Sequence, residues 1–305
     1  MLPTVFLLGL SLPVARYTGK PSLALRMMTL KSESRSRGPI ADMMKRQERQ
    51  ECGRIANQSK PLMVRLDGKA FHTFTKGLAR PYDQRLSQLM VDTTIHLVKE
   101  TQAKLGYTQS DEISLFFSPN PENPKESNYI FAGNYQKITS VLASMASSYF
   151  VRELPHRIPE KASELAVFDC RVWNVENSRD VYLNFLWRQQ DAIENSVLMK
   201  AHSLFPHSEL QGRSSVEKKA MLQNIEMPWE KEPQYFKSGT FVGRVTRTIE
   251  LCPERLEQIP FEYRPSDSRI HRSVVADLGL GLLQKEDAEL VAALFECSNA
   301  DLVPP

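Results

Sequence analysis

The stretch LGYTQSDEISLFF, residues 105–117, decides the fold. Leu105 to Gln109 and Ile113 to Phe117 have strand composition, and Ser110-Asp111-Glu112 between them reads as a turn. The result is a β-hairpin with two carboxylates at its tip. Toward the N-terminus, PLMVRL (residues 61–66) is a short apolar run stopped by Asp67-Gly68, a strand followed by a turn. Between this strand and the hairpin, Pro81 and Asp83 open a helix. Its Leu86, Leu89, Met90, Leu97 and Val98 recur at three- and four-residue steps toward Lys104. After the hairpin come a Pro- and Asn-rich loop (118–128), a small-residue helix from Lys137 to Phe150 and a strand from Ala166 to Val175. Strand, helix, hairpin, helix, strand is the order of a ferredoxin-type βαββαβ sheet, an α/β (α+β) architecture with helices on one face.

Outside this unit, Ile40 to Arg54 is helical and very polar. Ser178 begins a long helix ending near Leu204, and Gly239 to Leu251 has strand composition. A polar tail follows, with one amphipathic helix near Glu286 to Phe295. The division expected is a leader over 1–38, a catalytic domain over 39–175, a part completing it over 176–251, and a tail of unassigned role over 252–305.

The chain has 305 residues, 41% hydrophobic and 25% charged, ordinary for a globular protein with a proper core. Its net charge is only +3, and it is unevenly spread. Residues 1–60 carry eleven Lys/Arg against four Asp/Glu, a net +7, which leaves −4 for the rest. A body of that charge does not hold a polyanion by bulk attraction; it needs local basic groups or metal ions at the phosphates. The four cysteines lie far apart without a C-x-x-C pair, which reads as free thiols rather than a zinc site. The first 32 residues hold no acid. That fits a mitochondrial presequence or, equally, a disordered extension ahead of Met27 or Met28, so mitochondrial and cytoplasmic locations are both open. Leu2 to Val14 is too short and too broken by prolines to span a bilayer, and no membrane partner is expected.

In a split βαβ sheet the end of the first strand and the hairpin tip lie side by side. Carboxylates of Asp67 and Asp111 there suit two magnesium ions roughly 3.5–4 Å apart, the arrangement of in-line phosphoryl transfer. Gly68 lets the chain turn closely enough to offer a backbone carbonyl, and the amides from Lys69 to His72 suit a phosphate nest. On the residues alone, a plain Asp-Gly turn and a solvated hairpin tip remain open as well.

At these residues the chain resembles a known family. MVRLDGKAFHTFTK (63–76) and YTQSDEISLF (107–116) resemble the two signatures of the tRNA-histidine guanylyltransferase family, the 3′-to-5′ RNA polymerases. Arg80-Pro81-Tyr82-Asp83 between them resembles the family's Lys-Pro-Asn-Asp, with arginine for lysine. The resemblance runs with gaps from about Ile40 to Val245 and implies a polymerase-palm version of the sheet. It also implies metal ligation by Asp67, Asp111 and the Gly68 carbonyl, with Glu112 as a further acid of the catalytic set. Nucleotide contact is implied for Asp67, Gly68, Lys69, Ala70, Phe71, His72, Ser110, Asp111, Arg80 and Lys137. The implied cofactors are two Mg2+ ions, with GTP and ATP as substrates. The implied partners are tRNA, nucleoside triphosphates and further copies of the chain in a tetramer.

The long helix departs from the family's eukaryotic pattern. Where that pattern has Trp-Arg-Gln, Asp and then His-Ile-Asn-Asn, this chain has WRQQDAIENSVL (187–198), with Ile193 at the histidine and Asn195 as the surviving asparagine. This is similar to the "like-protein" branch associated with template-directed repair of tRNA 5′ ends. Arg188, Asp191 and Asn195 share one helical face suited to nucleotide or RNA, or to a plain polar surface. Trp187 and Tyr182 read as core, Lys69, Lys76 and Arg80 as a phosphate-facing basic cluster. The expected function is 5′-end repair. The alternatives are addition of one guanosine to tRNA-His, a catalytically inactive tRNA-binding protein and, remotely, a nucleotide cyclase.

Overall fold

Side chains alternate across a strand, and in strand β1 (Leu62–Gly68) that alternation separates two cores. Leu62, Val64 and Leu66 point to one face of the sheet and join one buried cluster, while Met63 joins another. The computed structural model describes residues 38–283 except 102, 120–128, 251, 259, 262–263 and 265–268. The expected leader over 1–37, the expected helix near Glu286 to Phe295 and most of the loop after β3 lie outside the described residues.

By contacts the chain divides into Met1–Arg46 and Gln47–Pro305. Of the first unit the described part is the front of helix α1 (Pro39–Cys52), polar and with Asp42 in its first turn. In the second unit the elements after α1 and β1 are α2 (Phe71–Phe74), α3 (Gln84–Thr101), β2 (Leu105–Gln109), β3 (Glu112–Phe117), α4 (Tyr135–Arg157), β4 (Phe168–Asn174) and α5 (Ser178–Leu204). Short helices α6 (His207–Leu210), α7 (Ser215–Asn224) and α8 (Gln234–Ser238) lead to β5 (Thr240–Glu250), then α9 (Pro253–Glu257) and β6 (Arg269–Asp277). The strands form one sheet in the order β4-β1-β3-β2-β5-β6, antiparallel throughout. Its first four positions are the βαββαβ order expected from the sequence.

The helices start where local chemistry satisfies their open amides. Asp83 accepts from the Arg85 amide at 2.9 Å ahead of α3, Asn134 from the Lys137 amide at 2.9 Å ahead of α4, and Asn177 from the Asp180 amide at 3.1 Å ahead of α5. Ser214 and Glu217 form a reciprocal capping box at α7. On α4, Ile138, Leu142, Ala146, Phe150 and Leu154 recur every four residues and are buried. Together with the inner stripe of α3 they cover one face of the sheet. At Gly106 a Cβ would stand 2.8 Å from methyls of Thr94 and Val98, so the glycine sets how closely α3 approaches β2.

The two crossover helices thus share a face, and the long α5 covers the opposite one. Val181 and Phe185 of α5 bury Met63, Tyr107, Phe116 and Phe241. The Tyr107 hydroxyl donates to the Ser238 carbonyl at 2.9 Å, tying β2 to α8. Beyond β2, β5 and β6 pair over nine positions and lengthen the sheet. Strand β6 lies in what the sequence presents as a polar tail.

Candidate active site

Three strand termini meet at one end of the sheet. Asp67, near the end of β1, pairs in register with Glu112 at the start of β3 and with Asp169 near the start of β4. Register neighbours share a face, so Asp169, Asp67 and Glu112 form a row of acids across three strands, on the α5 side. The next row is Arg171, Arg65 and Ser114, and the next is Trp173, Met63 and Phe116. Charge therefore gathers at the rim and apolar bulk beneath it.

Asp111 joins the row from the hairpin turn. Ser110 adopts the left-handed conformation, φ 49°, which a two-residue hairpin turn favours. The Gly68 amide donates to the Asp111 carbonyl at 3.1 Å and pins the turn to the end of β1. The Ser110 hydroxyl donates to the Asp111 carboxylate at 3.1 Å. Burial pushes the Asp111 carboxyl above its usual range, and the negative charge of Asp67 adds to the push.

Gly68 is where the chain turns from the sheet into α2. A Cβ there would stand 2.4 Å from the Phe71 ring. Phe71 and Phe74 are buried against Phe150, with Phe71 also against Phe168, and this anchors the short helix. Lys69, Ala70 and His72 remain exposed beside this turn, and Lys76 and Arg80 are exposed further along the same segment. Phe71, one of the expected nucleotide residues, therefore offers its backbone and not its ring. The Lys69 amide is spent on the Val167 carbonyl at 2.8 Å. The amides of Ala70, Phe71 and His72 head the first turn of α2, where a helix has no acceptors of its own.

Glu112 is placed differently from the other acids. Both its oxygens accept from Arg188 on α5, at 2.6 Å each, and Arg188 also donates to Asp191 at 2.9 Å. Burial pushes the Glu112 carboxyl upward and the guanidinium pulls against it. Arg188 and Asp191 thus face the site as a bonded pair, while Asn195 is exposed further along α5. Trp187 is 52% exposed, which corrects its reading as core, and its ring lies 4.6 Å from the Arg188 guanidinium and 5.9 Å from that of Arg65. Tyr182 is buried, as read from the sequence.

Lys137 is not brought to the carboxylates within this chain. It sits in the first turn of α4, where neighbouring Tyr135 donates to Asn174, and Asn174 pairs with Leu62 at the far end of β1 from Asp67. A strand of that length spans roughly 20 Å. A cleft of about 420 Å³ between α3 and α4, lined by His96, Ser144, Tyr149 and Arg152 among others, contains none of the expected site residues.

Asp67, Asp111 and the Gly68 carbonyl are hard oxygen donors of the type magnesium takes, and the Asp67 charge that adds to the effect of burial on Asp111 is one a divalent cation offsets. The fit rests on these two carboxylates, since no group of three or more His, Cys, Asp or Glu side chains converges among the described residues. Asp169 escaped sequence reasoning, although its place in the alternation Phe168-Asp169-Cys170-Arg171 was a signal. The Glu112–Arg188 contact joins residues 76 apart and left none.

Comparison with known proteins gives a consistent picture. The sequence model of the family described as tRNAHis guanylyltransferase (Thg1) matches residues 41–176. A bacterial tRNA-His guanylyltransferase (Thg1)-like protein solved with ATP superposes with a TM-score of 0.64 and 32% identity, over 78% of this chain and 91% of that one. A bacterial Thg1-like protein solved with GTP gives a TM-score of 0.64 and 28% identity, over 85% and 99%. The uncharacterized protein R259 of Acanthamoeba polyphaga mimivirus is 34% identical over 229 residues, 68% of this chain and 77% of the relative.

Proposed function

The chain belongs to the tRNAHis guanylyltransferase family of nucleotidyltransferases, and on that premise we propose that it is a magnesium-dependent enzyme that extends tRNA 5′ ends in the 3′-to-5′ direction. The observation that carries this reading is the meeting of Asp67 and Asp111 at one sheet end, followed in the chain by exposed Lys69 and His72. A 5′-monophosphate is first activated by ATP or GTP, and the 3′-hydroxyl of an incoming nucleotide then attacks it, releasing the activating group.

In this reading Asp67, Asp111 and the Gly68 carbonyl hold two magnesium ions. Bound there, the ions supply charge neutralisation at the triphosphate and acidify the attacking hydroxyl. The chain's own groups do the rest. The open amides at the head of α2 and the Lys69, Lys76 and Arg80 side chains bind phosphate oxygens. His72, exposed on α2, orients one of them. Phe71, locked in the core, keeps that helix still, so phosphates meet donors already in place. Lys137 has no role within the same chain's site. Self-association as a tetramer belongs to the proposal and is read by light scattering.

The acceptor is a tRNA with an incomplete 5′ end, repaired against its own opposing strand. Supporting this are Ile193, where the eukaryotic pattern has histidine, and the 32% identity to a bacterial Thg1-like protein. The second reading, a single guanosine added to tRNA-His, is favoured by the description of the matching family. Incubation of truncated tRNAs with all four nucleoside triphosphates separates the two. Repair gives the nucleotide complementary to each template base. Guanosine alone, regardless of template and only on tRNA-His, contradicts repair.

A further inference from the structure

The Glu112–Arg188 ion pair borders the carboxylates and takes no part in the mechanism above. Its side chains are 8% and 11% exposed respectively, and the Trp187 ring lies against the guanidinium at 4.6 Å. Arg188 donates through Nε to one Glu112 oxygen and through Nη2 to the other, at 2.6 Å each. Such a two-pronged contact between a planar guanidinium and a carboxylate fixes direction as well as distance. Its consequence follows from position. Glu112 is bonded to Asp111 through the chain and is the register neighbour of Asp67, so α5 is fastened to the strand end that carries both candidate metal ligands. The paired edge of the Glu112 carboxylate, the edge that would chelate a cation, is therefore turned to the guanidinium. Asp191, 44% exposed and 2.9 Å from the same guanidinium, steadies the arginine from the solvent side.

We propose that Arg188 is a positioning residue for nucleotidyl transfer. By holding Glu112 with two hydrogen bonds it fixes the hairpin tip against α5 and keeps the Glu112 carboxylate out of the metal set, so that Asp67 and Asp111 alone present it. The inference rests on the function proposed above, and it assigns Glu112 a part different from the one its sequence resemblance implies.

The test uses the full chain with Glu112→Gln, Arg188→Gln, Arg188→Lys and the double Glu112→Gln/Arg188→Gln. Each is assayed for kcat and for the nucleotide KM on a tRNA lacking its 5′ nucleotide, and titrated with Mn2+ followed by electron paramagnetic resonance. Each single glutamine variant is expected to lose about 10- to 100-fold in kcat, the usual effect of removing a supporting partner. The double variant loses no more than the worse single, because a pair acting as a unit is lost once. The nucleotide KM stays within about twofold, since ground-state binding is untouched. Arg188→Lys fails to restore kcat, since an ammonium lacks the fork. Glu112→Gln binds as many Mn2+ ions at saturation as wild type, since no ligand has been removed.

Losses that multiply in the double variant, or fewer Mn2+ ions bound at saturation by Glu112→Gln than by wild type, overturn the proposal and make Glu112 a ligand. Where a glutamine variant does not fold, Arg188→Lys carries the test: lowered kcat at a native melting temperature supports the proposal, and wild-type kcat overturns it. A wild-type chain that adds nothing to any tRNA 5′ end defeats the function reading itself. Active wild type with multiplying losses defeats only this inference.

Discussion

Asp67 and Glu112 face each other across β1 and β3, yet they answer to different neighbours. Glu112 commits both oxygens to Arg188, whereas Asp67 acts on Asp111, whose carboxyl its charge helps to raise. Two acids in register, one on each adjacent strand, are thereby sorted into a structural anchor and a candidate metal ligand. The sorting agent is a residue on a helix far along the chain.

Gly68 is the tightest point of the site. A methyl there would stand 2.4 Å from the ring of Phe71, itself packed on Phe150 and Phe168. Gly68→Ala is expected to destabilise the fold by about 1–3 kcal/mol, the cost of overpacking a filled core. It also displaces α2, so nucleotide affinity falls alongside stability. Urea unfolding and isothermal titration with GTP check both effects; an unchanged unfolding midpoint contradicts the packing account.

Asp83 gives the fold a pH dependence of known sign. Its side chain is 4% exposed, and hydrogen bonds from Arg85, first among the causes, hold its carboxyl below the usual range. A carboxyl depressed in the folded state contributes stability that is complete above the unfolded value of about 3.9. That contribution is lost as pH falls through the lower folded value. Wild type should therefore exceed Asp83→Asn in melting temperature at neutral pH, with the gap closing as pH falls below that range. A gap that widens on acidification contradicts the assignment.

Trp187 stands half in solvent with Arg65 and Arg188 near its ring. Its replacement by alanine is expected to cost no more than about 1–2 kcal/mol, the scale of such cation–ring contacts. A tryptophan in the core would cost about 3–5 kcal/mol on removal. Chemical denaturation distinguishes the two, and the larger value would return Trp187 to the core.

Much of this architecture is legible in the sequence because it is written in short-range patterns. The run 61–66 is a strand, although β1 continues through the Asp67-Gly68 expected to stop it because both residues pair across the sheet; the hairpin places polar Ser110-Asp111 between two apolar stretches, and α5 keeps the bounds Ser178–Leu204 that its composition suggests. What stays hidden depends on long-range partners. Strand β6 is polar in composition, and its place is set by pairing with β5. Trp187 looks apolar in the string, but the turn of α5 that carries it faces two arginines near the rim of the sheet. Lys137 matches a nucleotide-binding pattern, yet α4 begins at the end of the sheet away from Asp67. The ion pair of Glu112 needs two elements to cross in space before it exists.

Metal binding at Asp67 and Asp111 is where the account is most exposed. Counting Mn2+ ions bound per chain in the presence of GTP, for wild type, Asp67→Asn and Asp111→Asn, tests it directly, with 5′-nucleotide addition and tRNA binding followed on the same preparations. The account predicts two ions in wild type, loss of at least one in each variant, activity below roughly 1% as when a charge-stabilising group is removed from a transition state, and tRNA binding retained. Undiminished ion binding, or substantial nucleotide addition, in either variant would contradict it.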